Sequence, residues 1–160
     1  AYFISEKLNV NMNDVEALTL GSHGETMVPV PSQCRVNEKL LTEMLSKEEI
    51  DEIVQKTSNG GAEIVGLLKT GSAYFAPSSA AATMVRSIIS DTNDVMPACS
   101  WLEGEYGISD VYLGVPTKLG KNGVTEVVEL ELNNDELTDL KSASEAVKDK
   151  VKELNSIINQ

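Results

Sequence analysis

Three observations predict an α+β fold in which helices pack on an antiparallel sheet that includes a three-stranded meander, with one long C-terminal helix. From Met96 onward the apolar pattern leaves the helical period and runs as three β-rich segments, 96–103, 111–119 and 124–132. The second and third are separated by Gly120-Lys121-Asn122-Gly123, whose Asn-Gly step is a strong hairpin signal. From about Asn134 to Ile158, the residues Leu137, Leu140, Ser144, Val147, Val151, Leu154 and Ile158 recur at alternating spacings of three and four, with only Ser144 polar and charges on the other face.

Local chemistry sets the elements before the meander. Tyr2, Phe3, Ile4 and Leu8 form an apolar stripe, and Asn9, Asn11 and Asn13 supply turn residues, which predicts a helix over 2–8. Val15 to Gly21 reads as one strand running into a loop. Met27-Val28-Pro29-Val30-Pro31 is extended, because each proline holds the residue before it in the β or polyproline region. Gln33 to Val36 reads as a partner strand. Ser46 and Glu49 have capping-box spacing, and Ile50, Ile53 and Val54 give the helix behind them one apolar face. Asn59-Gly60-Gly61 is expected to end that helix. Ala62 to Lys69 reads as a second short helix broken by Thr70-Gly71-Ser72, and 78–90 as a third whose small residues permit close packing. In the middle β run, Pro116 predicts an edge position or a bulge. The terminal seam fits a helix lying on its own sheet better than a zipper, since it offers only about three heptads without clear flanking charge pairs.

The chain has 160 residues, 13 Lys+Arg against 25 Asp+Glu, and a formal net charge of −12. Residues 1–160 therefore read as one ordinary domain, too short for a two-domain enzyme. Charge of this sign argues against nucleic acid as a partner, because phosphate backbones need clustered Lys and Arg. Arg35 and Arg86 are the only arginines, little material for clamping a carboxylate. Cys34 and Cys99 stand in no metal-ligand spacing, so neither a zinc site nor a disulfide framework is expected, and both read as buried small hydrophobes in a reducing compartment. No run approaches the roughly 18 apolar residues of a membrane span. Ala1 to Lys7 lacks the basic region and cleavage site of a signal peptide, so the chain reads as cytoplasmic. It begins without methionine, inside a predicted helix, which implies processing or a piece of something longer.

Chemistry concentrates in two segments. Gly21-Ser22-His23-Gly24-Glu25-Thr26-Met27-Val28-Pro29 holds the only histidine, flanked by glycine and polar residues at a strand-to-loop transition. An imidazole, with an unperturbed pKa of about 6.5, both takes and gives a proton near neutrality. A surface-loop histidine without a role fits the same local pattern. The second segment, Lys69 to Ser79, places small residues between two helices, where Gly71 can supply an unusual backbone angle; a pocket wall and a plain helix-helix connection both fit. Neither G-x-G-x-x-G nor G-x-x-x-x-G-K-[ST] occurs, and no Ser-His-Asp arrangement has motif support.

Taken together the two segments resemble the lactate/malate dehydrogenases. G-S-H-G-E-T-M-V-P is similar to the catalytic-histidine loop of that family, and E-I-V-G-L-L-K-T-G-S-A-Y-F-A-P-S-S-A, from Glu63 to Ala80, to its substrate-pocket helix-loop-helix. The order of elements, with V-Y-L-G-V-P at 111–116, extends the resemblance over essentially the whole chain. It implies the C-terminal substrate-binding and catalytic domain of an NAD-dependent 2-hydroxy acid dehydrogenase, a homodimer or homotetramer whose own N-terminal domain holds the NAD. It further implies that His23 is the proton acceptor and donor, that Ser72 and Ala73 line the pocket for the substrate side chain, that Pro77 lies beside the nicotinamide ring, and that no metal is needed.

The resemblance also has gaps. The family's L-D-x-x-R motif, which orients the histidine and clamps the substrate carboxylate, belongs before Ala1, as do the Rossmann domain and the mobile arginine-bearing loop. H-G-E-T-M-V-P and G-S-A-Y-F-A-P resemble the malate-specific group, with (S)-malate and oxaloacetate as substrates and a place in the tricarboxylic acid cycle, more than true lactate enzymes. A lactate dehydrogenase domain is the first alternative, and a non-catalytic oligomerisation module the second. The 160-residue chain alone is expected to be inactive.

Overall fold

The computed structural model describes residues 1–24 and 26–158. In chain order the elements are helix α1 (Tyr2–Leu8), strands β1 (Val15–Glu16), β2 (Thr19–Gly21), β3 (Met27–Pro29), β4 (Arg35–Val36) and β5 (Lys39–Leu40), helices α2 (Leu41–Met44), α3 (Lys47–Leu68) and α4 (Phe75–Ser90), strands β6 (Asp94–Glu103), β7 (Ser109–Gly120) and β8 (Gly123–Val127), and helix α5 (Asn134–Ile158). They fall into two compact units, one made of 1–18 and 29–86, the other of 19–28 and 87 onward. The α+β class holds, with antiparallel sheets and a long C-terminal helix.

In the first unit a small sheet of order β1-β4-β5 and the helices α1 to α3 enclose a core of Ile4, Val15, Cys34, Val36, Leu41, Ile50 and Ile53. The capping box is complete: Ser46 Oγ accepts from Glu49 N at 3.3 Å and Ser46 N donates to the Glu49 carboxylate at 3.0 Å. That backbone donor, with Lys7 Nζ at 3.0 Å, holds the Glu49 carboxyl below its ordinary range. The expected stop at Asn59-Gly60-Gly61 does not occur, and α3 runs unbroken for 22 residues. Two interior glycines cost about 2 kcal/mol of helix propensity against alanine, but neither terminates the helix, whose first half is anchored in the core by Ile50 and Ile53. The helix ends instead where Lys69 takes φ 64.

Three further expectations are corrected. Val15–Gly21 is two strands, because β1 pairs with β4 in the first unit and β2 with β7 in the second. The strand expected from Gln33 starts at Arg35, after a 3-10 turn over Pro31–Gln33. The third β run stops at Val127. Beyond it Tyr106 organises the chain, its hydroxyl donating to Val128 O at 3.1 Å and accepting from Leu130 N at 3.0 Å. Burial, the larger influence, raises the pKa of that phenol.

The second unit is built on the expected meander. β7 pairs antiparallel with β6 on one edge, and with β2 and β8 on the other. Pro116 therefore lies in a central strand and not at an edge; the irregularities fall at Leu102/Glu103 and Lys118/Leu119. It sits opposite Pro97, and its carbonyl accepts from Val128 N on the other side, so both rings occupy a rung at which β6 and β7 exchange no hydrogen bond. Leu20, Val28, Leu102, Val111, Leu113, Val115, Leu140 and Ala143 are buried here. The buried hydroxyls of Ser100 and Thr117 satisfy one another at 2.8 Å. α5 lies on this sheet through Leu140, Ala143 and Ser144, whose hydroxyl donates to Lys141 O at 2.7 Å. From Val151 on it stands exposed, its apolar seam uncovered within the unit.

Candidate active site

His23 projects from a short loop between β2 and β3 in the second unit, and its side chain is exposed. The loop is tight because its backbone is. Gly21 has φ 83 and Gly24 φ 128, angles that side-chain-bearing residues rarely adopt. Ser22 N donates to Thr26 O at 3.4 Å, the two hydroxyls lie 2.5 Å apart, and Met27 N donates to Gly24 O at 3.2 Å. Glu25 of the loop motif lies outside the described residues.

Beneath the loop two glycines meet. Gly21 and Gly114 face each other across the β2–β7 ladder, and a Cβ on Gly114 would stand 2.5 Å from Gly21 O. A Cβ on Gly21 would stand 2.7 Å from Thr26 O. The loop can therefore rest against the central strand only because both positions lack a side chain.

His23 borders an open cavity of about 490 Å³. Its remaining wall comes from Gly21 and Ser22 beside the histidine, Pro97 to Cys99 on β6, Tyr112 to Gly114 on β7, and Val147 on α5. Cys99, expected to be buried, is exposed. The strand period explains it: Ala98, Ser100 and Leu102 point into the core, so Cys99 and Trp101 point out. Among the described residues its lining carries no Asp, Glu, Lys or Arg. The far wall escaped the sequence reading, although an isolated glycine in the strand run 111–119 was a readable sign of close backbone approach.

Ser72, Ala73 and Pro77 all belong to the first unit. Ser72 is exposed and its hydroxyl accepts from Tyr74 N at 3.5 Å; Ala73 is half-buried. Gly71 has the positive φ expected of it, 88, and a side chain there would collide with the Tyr74 ring. Pro77 occupies the first turn of α4, where its missing amide has no intrahelical partner to lose. Among the described residues no group of three or more His, Cys, Asp or Glu could hold a metal ion, and no helix is long and apolar enough to cross a membrane.

Residues 1–158 match the lactate/malate dehydrogenase α/β C-terminal domain family. The chain is 46% identical over 156 residues to a malate dehydrogenase of Chlorobium phaeobacteroides, covering 98% of this chain and 50% of that protein. The solved malate dehydrogenase of Salinibacter ruber superposes with a TM-score of 0.94 at 40% identity, over 99% of this chain and 52% of that one. A lactate dehydrogenase of Cryptosporidium parvum, solved with lactic acid and β-nicotinamide adenine dinucleotide, gives 0.93 at 37% identity, over 96% and 50%. The chain thus spans about half the length of the relatives it matches. From loop to terminal helix, it belongs to the lactate/malate dehydrogenase family as an α/β C-terminal domain.

Proposed function

We propose that this chain is the substrate-side half of an NAD-dependent malate dehydrogenase, in which His23 moves the proton of the substrate hydroxyl. The observation that carries the proposal is an exposed imidazole on a glycine-bounded loop at the rim of a cavity whose described lining is mostly apolar, in a chain of this family. As hydride leaves C2 of (S)-malate, the hydroxyl must lose its proton, and a base with a pKa near ambient pH avoids a free alkoxide; in reduction the imidazolium returns the proton to the keto oxygen of oxaloacetate. NAD, when bound, accepts and returns the hydride.

The residues here suit a place beside the reacting carbon and not a grip on the dinucleotide. Among the described residues the cavity wall carries no lysine or arginine to pair with a pyrophosphate. Pro77 is assigned to the nicotinamide face, and Ser72 and Ala73 to the substrate side chain, on the resemblance of Glu63 to Ala80. The grip on phosphates and on the substrate carboxylate is assigned to an N-terminal Rossmann domain in the remaining length of the relatives. The whole protein is proposed to be a cytoplasmic homodimer or homotetramer.

Replacing His23 with Asn in the full-length protein is expected to lower malate oxidation by at least about 100-fold while NAD binding persists. Near-normal turnover would overturn the assignment. Lactate dehydrogenase is the competing reading, favoured by the similarity to the Cryptosporidium enzyme. Faster reduction of pyruvate than of oxaloacetate would select it.

A further inference from the structure

We infer that Ser22 and Thr26 are positioning residues for His23, closing the base of its loop through their hydroxyl pair. The inference rests on the reading of His23 as the proton-transfer group. The exposed imidazole has little packing to hold it, and Gly21 and Gly24, at φ 83 and φ 128, stand on either side. Glycine at both ends leaves such a loop many conformations unless its base is tied. Two ties connect Ser22 to Thr26. The backbone N–H···O of 3.4 Å is long and weak, whereas the 2.5 Å contact between hydroxyls is short. The short tie is also partly shielded from water, which strengthens it.

The pair works only as a pair. One hydroxyl donates and the other accepts, so losing either leaves its partner without the contact. The base is seated from below by the approach of Gly21 O to Gly114 and by Thr26 O against Gly21. The tie therefore passes the position of the central strand to the histidine. A proton-transfer group displaced by about 1 Å loses rate steeply, while substrate affinity changes little on loss of the Thr26 hydroxyl, since Ser22 lines the cavity and Thr26 does not.

The test uses the full-length protein and follows NADH during oxaloacetate reduction. Ser22→Ala and Thr26→Val, the latter keeping the shape of threonine, should each lower kcat about ten-fold, and Thr26→Val, which lies outside the cavity lining, should keep KM within about two-fold. Thr26→Ser should restore most of kcat, and the double variant should be no slower than either single one. Wild-type kcat in Thr26→Val, or losses that multiply in the double variant, would overturn the inference. If Thr26→Val does not fold, Ser22→Ala and Thr26→Ser carry the same comparison. His23→Asn separates the two levels: its inactivity beside a fully active Thr26→Val rejects the tie alone, whereas an active His23→Asn rejects the proton-transfer reading itself.

Discussion

At Gly114 one methyl group decides where the histidine loop rests. The strand backbone there needs no positive φ, so alanine is conformationally acceptable, yet its Cβ would stand 2.5 Å from Gly21 O. Backbone cannot swing aside as a flexible side chain can, so β2 must move off β7. Gly114→Ala is expected to destabilise the fold by about 1–3 kcal/mol, as overpacking does, and to lower kcat of the full-length protein because the loop moves with β2. A thermal melt and a rate measurement check both halves, and an unshifted melting temperature would contradict the crowding. The histidine's place on a loop after a strand was legible from its setting of glycine and hydroxyl residues. Its neighbours Cys99, Tyr112 and Val147 were not, since they reach the cavity through strand pairing and helix packing at large sequence separation. Cys99 could have been oriented from within its own strand, because parity with the apolar Ala98 and Leu102 turns it outward.

At the scale of elements, α3 shows how glycine misleads. Its φ stays helical at Gly60 and Gly61, and the positive φ that ends the helix falls on Lys69, a residue with no special preference for it. A glycine pair signals a stop only where packing allows one; here Ile50 and Ile53 anchor the helix in the core and the Phe3 ring lies 3.6 Å from a Cβ built on Gly60. Gly61 meets nothing within 4 Å. Gly61→Ala should therefore stabilise the protein by about 0.5–1 kcal/mol, the opposite sign from Gly114→Ala, and a chemical denaturation midpoint measures it. Caps and hairpin turns were legible because each acts within four residues: the Ser46–Glu49 box and the turn from Gly120 to Gly123 depend on nothing distant. The division of 15–21 into two strands was illegible, because it depends on which sheet each half joins.

At the scale of the whole molecule, apolar exposure and charge oppose each other. Leu67 is 75% exposed and Phe75 87% in the first unit, and Leu154 54% and Ile158 68% in the second. Faces of this kind favour association, while a net charge of −12 opposes it. The 160-residue chain should therefore associate more as salt screens the repulsion, and should reduce no oxaloacetate with NADH. Sedimentation at low and high salt checks this; a monomer at every concentration and ionic strength would contradict it. The chain also carries its own optical gauge. Trp101 is its one tryptophan, set edge-on against Tyr112 at 5.1 Å between ring centroids, in a groove that Val147 and Val151 of α5 complete. At 43% exposure its indole senses both water and that helix, so the emission maximum reports whatever closes over the groove, in a wavelength range free of other tryptophans from this chain.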